Sequence, residues 1–257
     1  MYKRQAKAIG TQHLVGPALG DEGADLLGVV LHVVGRGDDR ASAGPQLLRN
    51  KGDLRLVGRV QQVVALGGLT VGTEEQIIKG MYLCKPGAEG QTRVQLLGSG
   101  SILRESLAAQ TLLAADWGIQ ADVWSCPSFN ELARDGQAAE RHNLLHPTDK
   151  PQVSFVEQQL VKSTGPVIAS TDYMKNYAEQ IRPFMPKGRS YKVLGTDGFG
   201  RSDFRSKLRE HFEINRHYIV IAALKSLADE GALPATKVAE AIKKYGIKTE
   251  KINPLYA

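Results

Sequence analysis

Two stretches of this sequence place chemically capable side chains where a fold would expose them. They are Ser170-Thr-Asp-Tyr-Met-Lys175 and Val193-Leu-Gly-Thr-Asp-Gly-Phe-Gly-Arg-Ser-Asp203. In each, a short apolar, strand-like run ends in a small polar loop that leads into a helix. The second loop is expected at the carboxyl edge of a sheet, where α/β proteins gather their ligands. Its two glycines permit backbone angles closed to other residues, and Asp197 and Arg201 are close enough in sequence to pair. Two readings stay open: Asp197, Phe199, Arg201 and Ser202 face a neighbouring domain or subunit, or the loop is fixed by its own hydrogen bonds. Asp172, Tyr173 and Lys175 belong to the same class of interface-facing or anion-facing loop residues. Ser99, Gly100 and Ser101, in Gly98-Ser-Gly-Ser101, stand where a strand feeds a helix. Main-chain N–H groups there can hold an anion, and the same small residues equally satisfy a turn and a helix cap.

Other reactive residue types point to less. His142 and His146 stand at i and i+4 on one helical face, but Asn143 occupies the position where a zinc-protease helix carries Glu. His211 and His217 flank an interhelical turn and are expected at the surface. Arg134-Asp135 and Glu140-Arg141 read as helix-face ion pairs. The serines flanked by glycine are not in a nucleophile-elbow context. Two cysteines, Cys84 and Cys126, are too few for a disulfide framework or a zinc site, and read as small core residues. Lys243, Lys244, Lys248 and Lys251 make the tail basic, as a solvated face or as a dock for an acidic partner.

The elements that must position these loops follow from periodicity. Arg93–Gly98, Ala121–Cys126, Val167–Ser170 and Tyr191–Gly195 read as strands. Helices follow with apolar residues at helical spacing: Ile102, Leu103, Leu107, Leu112 and Leu113 in the first. Ser128 with Glu131 forms a capping-box pattern. Asp172 is expected to cap a helix carrying Met174, Tyr177, Ala178 and Ile181. Asp203 starts another, Asn215 caps Tyr218–Asp229, and Pro234 opens a last helix through Tyr245. Alternating strands and helices imply an α/β fold, a mostly parallel sheet with right-handed crossovers and flanking helices.

Bulk properties narrow the function classes. The chain has 257 residues, 42% hydrophobic and 23% charged, with a net charge of +6. Residues 1–73 carry nine Lys/Arg against six Asp/Glu and residues 74–257 carry 24 against 21, so the excess is not gathered into a nucleic-acid-binding stripe. No apolar run approaches the ~20 residues of a membrane span, and no signal peptide is evident; neither nucleic acid nor membrane is expected as a partner, and the cytoplasm is the expected location.

Residues 1–73 differ in kind: 13 glycines, 21 Leu or Val, one Ile and a single aromatic, Tyr2. A core short of aromatic area and rich in glycine is hard to stabilise. Leu26–Val34 and Leu54–Val60 read as strands of a divergent Gly/Val-rich β-domain, the alternative being a disordered or artefactual, wrong-frame segment, which is the expectation here. The divisions are thus 1–73, a linker at 74–90, and a domain at 91–257.

From Glu74 onward the sequence resembles one family. Glu74-Glu-Gln-Ile-Ile-Lys-Gly-Met-Tyr-Leu83, Ser128-Phe-Asn-Glu-Leu-Ala-Arg-Asp-Gly136, Leu144-Leu-His-Pro147, the two loops above and Lys251-Ile-Asn-Pro-Leu-Tyr-Ala257 are similar to the C-terminal domain of homodimeric, bacterial-type pyruvate dehydrogenases. These are the first component of the pyruvate dehydrogenase complex and belong to the transketolase-like enzymes. The resemblance implies a parent enzyme that decarboxylates pyruvate on thiamine diphosphate with magnesium. That enzyme reductively acetylates the lipoyl group of dihydrolipoyl acetyltransferase, as a dimer with a second pyruvate dehydrogenase subunit. The family's Gly-Asp-Gly magnesium motif has no match, because Gly20-Asp21, Gly37-Asp38 and Gly52-Asp53 are not followed by glycine. The expectation is therefore a structural, dimer-supporting piece, inactive alone, that binds no cofactor by itself. A stand-alone protein-binding or anion-binding α/β module is the alternative.

Overall fold

A computed structural model describes residues 73–90 and 92–257. The strands read at 26–34 and 54–60, and the three Gly-Asp pairs, lie outside the described residues.

The described chain runs α1 (Thr73–Ile78), β1 (Tyr82–Lys85), β2 (Arg93–Gly98), α2 (Leu103–Trp117), β3 (Gln120–Ser125), α3 (Phe129–Leu145), α4 (Phe155–Leu160), β4 (Val167–Ser170), α5 (Lys175–Glu179), β5 (Tyr191–Leu194), α6 (Arg205–His211), α7 (Arg216–Asp229) and α8 (Ala235–Lys244). The strands form one sheet in the order β1-β3-β2-β4-β5. β2, β3, β4 and β5 are parallel, and β1 adds an antiparallel edge beside β3. The expected mostly parallel α/β sheet is present. Strand β1 lies inside the segment read as linker; at four residues it is too short to leave a clear period in the sequence.

Alternation along the strands sorts the core onto two faces. Val94, Leu96, Ala121, Val123 and Ile168 pack with α2, α7 and α8. Leu97, Trp124, Val167, Ala169 and Val193 pack with α3, α4 and neighbouring residues such as Ala178 and Ile181. Both faces are thus buried, as a parallel sheet requires. A polar group also sits within this core: Gln95 donates to Asp122 at 3.0 Å and accepts from the Trp124 indole at 2.8 Å. Arg93 pairs with the same carboxylate at 2.5 Å. Each member is bonded, so the polarity is tolerated.

Local signals account for several helix starts. Ser128 accepts from the Glu131 N–H, and Asn215 accepts from the N–H groups of His217 and Tyr218, as the sequence implies. Two expected caps do not form. Ser99 makes no side-chain cap; it is buried, its N–H donating to the Ser170 carbonyl. Asp172 does not cap α5, because its carboxylate is turned to another loop. Among the described residues no helix is long and apolar enough to cross a membrane.

Candidate functional site

The strand order reverses at β2. The chain leaves β2 for β3 on one side and returns to β4 on the other, so the carboxyl ends of β2 and β4 form the crevice where ligands of open α/β sheets gather. The loops singled out in the sequence meet there.

Ser101 donates its hydroxyl to Asp172 Oδ2 at 3.0 Å, joining the loop after β2 to the loop after β4. Gly100 has a φ of 55°, and a Cβ on it would lie 2.9 Å from Asp172 Oδ1. Asp172 therefore turns away from α5 because Ser101 and the side-chain-free Gly100 receive it. A carboxylate at this spot also repels any further anion. The Tyr173 N–H donates to Thr171 Oγ1 at 3.1 Å. The loop after β5 closes on the same turn: Thr196 donates from Oγ1 to the Asp172 carbonyl at 2.9 Å and from N–H to the Tyr173 carbonyl at 2.9 Å.

Asp197 supplies what Asp172 does not. Its Oδ1 accepts from the Lys175 N–H at 3.0 Å, and its Oδ2 lies 3.5 Å from Lys175 Nζ. The expected Asp197–Arg201 pair is thus replaced by Asp197–Lys175. Lys175 opens the helix whose first N–H lacks an intrahelical partner, which makes it the better donor. Arg201 and Ser202 are exposed. Gly198, with φ 110°, lies so close to the tail that a Cβ there would be 2.2 Å from the Pro254 carbonyl oxygen. Lys251 holds the tail from its other end, donating to the carbonyls of Glu210 at 2.8 Å and His211 at 2.7 Å. It is not a solvated tail lysine, and Lys244 likewise pairs with Asp116 at 2.7 Å.

These mutually bonded loops, with the helix and tail beside them, display large apolar side chains. Phe199 is 76% exposed, Phe204 82% and Tyr256 78%, with Tyr173, Met174 and Tyr177 also exposed. The rings of Tyr173 and Tyr177 lie 5.6 Å apart. Exposed apolar groups of this size are what a contiguous partner surface would cover.

Beneath the loops lies a group that the sequence reading missed. Glu105 is 4% exposed and accepts from Arg209 Nη1 at 2.8 Å, and from Arg216 N–H, Nε and Nη2 at 3.0, 3.0 and 3.2 Å. Burial opposes its charge, but the hydrogen bonds and charges of Arg216 and Arg209 together hold its carboxyl below the usual range. Arg209 reaches the crevice loop too, donating from Nη2 to the carbonyl and hydroxyl oxygens of Ser101 at 3.3 Å. One signal was available: Glu105 shares the helical stripe of Ile102, Ala109 and Leu113, and an acidic residue on a buried stripe calls for a partner.

The remaining reactive groups are structural. His142 and His146 stack at 4.6 Å. Among the described residues no three His, Cys, Asp or Glu side chains cluster to hold a metal ion. His217 is half-buried, stacked on Tyr245 at 4.7 Å, so it is not a surface group, and His211 is half-buried as well. Arg134 pairs with Glu131 instead of Asp135, which accepts from the Phe155 N–H at 2.6 Å. No serine hydroxyl among the described residues bonds to a histidine; Ser106 and Ser170 bond to each other at 3.0 Å. What the arrangement offers is a rigid, apolar-faced edge without a nucleophile–base pair.

Residues 80–215 match the family model of the transketolase-like TK C-terminal domain. The chain is 63% identical over 185 residues to the pyruvate dehydrogenase E1 component of Pseudomonas aeruginosa, covering 72% of this chain and 21% of that protein. It is 58% identical over 189 residues to the same component of Cupriavidus necator, covering 73% and 21%. Among solved structures, a split-gene transketolase in an inactive β4 tetramer aligns with a TM-score of 0.39 and 18% identity, over 58% of this chain and 43% of that one. The chain spans about one fifth of the length of the curated relatives it matches.

Proposed function

Because the chain belongs to the transketolase-like C-terminal domain family, we propose that it serves as the C-terminal domain of a pyruvate dehydrogenase E1 component and that its work is docking. In this reading the parent enzyme is a cytoplasmic homodimer that decarboxylates pyruvate on thiamine diphosphate and acetylates the lipoyl group of dihydrolipoyl acetyltransferase. The cofactor and its magnesium are, in this reading, held between other domains of the parent dimer and not by the described residues. No step of the reaction is assigned to them.

The observation that carries the reading is the apolar edge. Phe199, on the loop that Thr196, Asp197 and Gly198 tie down, stands exposed together with Phe204 at the start of α6 and Tyr256 in the tail. Covering them with the preceding domains or a second subunit removes apolar surface from water, at roughly 25 cal/mol per Å². The hydrogen bonds of Asp172, Thr196 and Asp197 order the loops beforehand, so less ordering entropy opposes association.

The test is complementation. The chain is co-expressed with the Pseudomonas aeruginosa E1 component lacking its matching C-terminal region, and the pair is examined by size-exclusion chromatography and pyruvate oxidation. Co-elution with recovered activity is expected, weakened by Phe199→Asp. Separate elution of the two pieces, or an unaltered Phe199→Asp complex, refutes the docking role.

A further inference from the structure

On the α2, α6 and α7 side of the domain lies a cavity of about 240 Å³ lined by Glu105, Ser206, Arg209, Asn215, Arg216 and His217. Arg209 links it to the crevice loop through Ser101. Its chemistry is one-sided. Two arginines against one carboxylate give the lining a formal charge of +1. That carboxylate is saturated: Glu105 already accepts four hydrogen bonds from the two arginines. The oxygen of Asn215 is saturated as well, accepting from His217 and Tyr218 at 3.0 and 3.2 Å.

The donors are not saturated. Arg216 uses its main-chain N–H, Nε and Nη2 on Glu105, which leaves Nη1 without an acceptor among the described residues, and its side chain is 46% exposed. The Asn215 amide nitrogen and the Ser206 hydroxyl also have no protein partner among the described residues. Burial, with the charge of Arg216, lowers the pKa of His217, so at neutral pH it is a neutral imidazole with one N–H to donate. The lining is thus net positive, its carboxylate and its amide oxygen are already occupied, and one edge of the Arg216 guanidinium is open. A planar guanidinium that is already anchored on one edge meets an oxyanion with its orientation set.

We propose that this cavity is a binding site for a small phosphate-class oxyanion, held by Arg216 Nη1 with Ser206, Asn215 and His217 around it. The Glu105–Arg209–Arg216 group is then more than a structural tie. It holds Arg216 in the pose that receives the anion, and Arg209 connects the same group to Ser101 at the crevice.

The 257-residue chain is titrated with inorganic phosphate and with pyrophosphate, with sodium chloride holding the ionic strength constant, and followed by calorimetry and thermal melting. Saturable binding is expected, with a rise in melting temperature that grows with ligand concentration. Arg216→Gln is expected to weaken binding about tenfold or more, the loss of one charge-assisted hydrogen bond. Because that variant also unbalances Glu105, Ser206→Glu serves beside it. Position 206 is exposed on α6, so a carboxylate there leaves the fold intact and closes the cavity to anions. Binding retained by Ser206→Glu, or stabilisation by phosphate no greater than by chloride, overturns the proposal.

Discussion

Replacing Glu105 by Gln tests whether the domain is held by the ion group beneath its crevice. The variant keeps the side-chain shape and removes the one charge shared by Arg209 and Arg216. Breaking a buried ion pair from one side costs about 3–5 kcal/mol. Two features place this case at the low end. Arg216 is nearly half exposed and rehydrates, and Arg209 keeps its bonds to Ser101. A loss of about 3 kcal/mol is the expectation, and for a domain of this size it lowers the melting temperature by about 6–12 °C. Circular dichroism melts at neutral pH read it directly. The pH dependence has a fixed sign. The folded pKa of Glu105 is lowered, so its stabilisation is fully present above the unfolded value of about 4.3 and is lost as pH falls through the folded value. The gap between parent and variant must therefore narrow on acidification below that value. A melting temperature within about 2 °C of the parent at neutral pH, or a gap that widens in acid, refutes the reasoning.

Two further outcomes are expected. Gly198→Ala introduces a Cβ that would lie 2.2 Å from the Pro254 carbonyl oxygen at a φ of 110°. The strain, about 1–3 kcal/mol, should release the tail and speed tryptic cleavage after Lys251; an unchanged cleavage rate counts against the tail being pinned there. Burial pushes the thiol pKa of Cys126 up, and that of partly buried Cys84 as well. Only unfolding should therefore make Cys126 reactive to a thiol reagent at neutral pH, and labelling of Cys126 in the native chain as fast as in urea contradicts the packing described.

The sequence by itself determined the layers. Apolar runs of four to six residues alternating with amphipathic segments allow little but a parallel α/β sheet, and four of the five strands fall where those runs lie. Side-chain caps were legible too when donor and acceptor are near neighbours, as at Ser128 and Asn215. The family's sequence blocks and the two edge loops were also visible in the chain. What could not be read there is where a polar side chain turns when several loops compete for it. Asp172 sits beside its expected helix yet faces Ser101, 71 residues earlier, and Asp197 fills the place left open at Lys175. Lys251 looks like any tail lysine until α6 presents two carbonyls to it. Glu105 becomes a tie only because α6 and α7 bring arginines 104 and 111 residues further on against α2. Periodicity reports which face of an element is buried; which partner waits there depends on strand order, and only the assembled tertiary structure sets that.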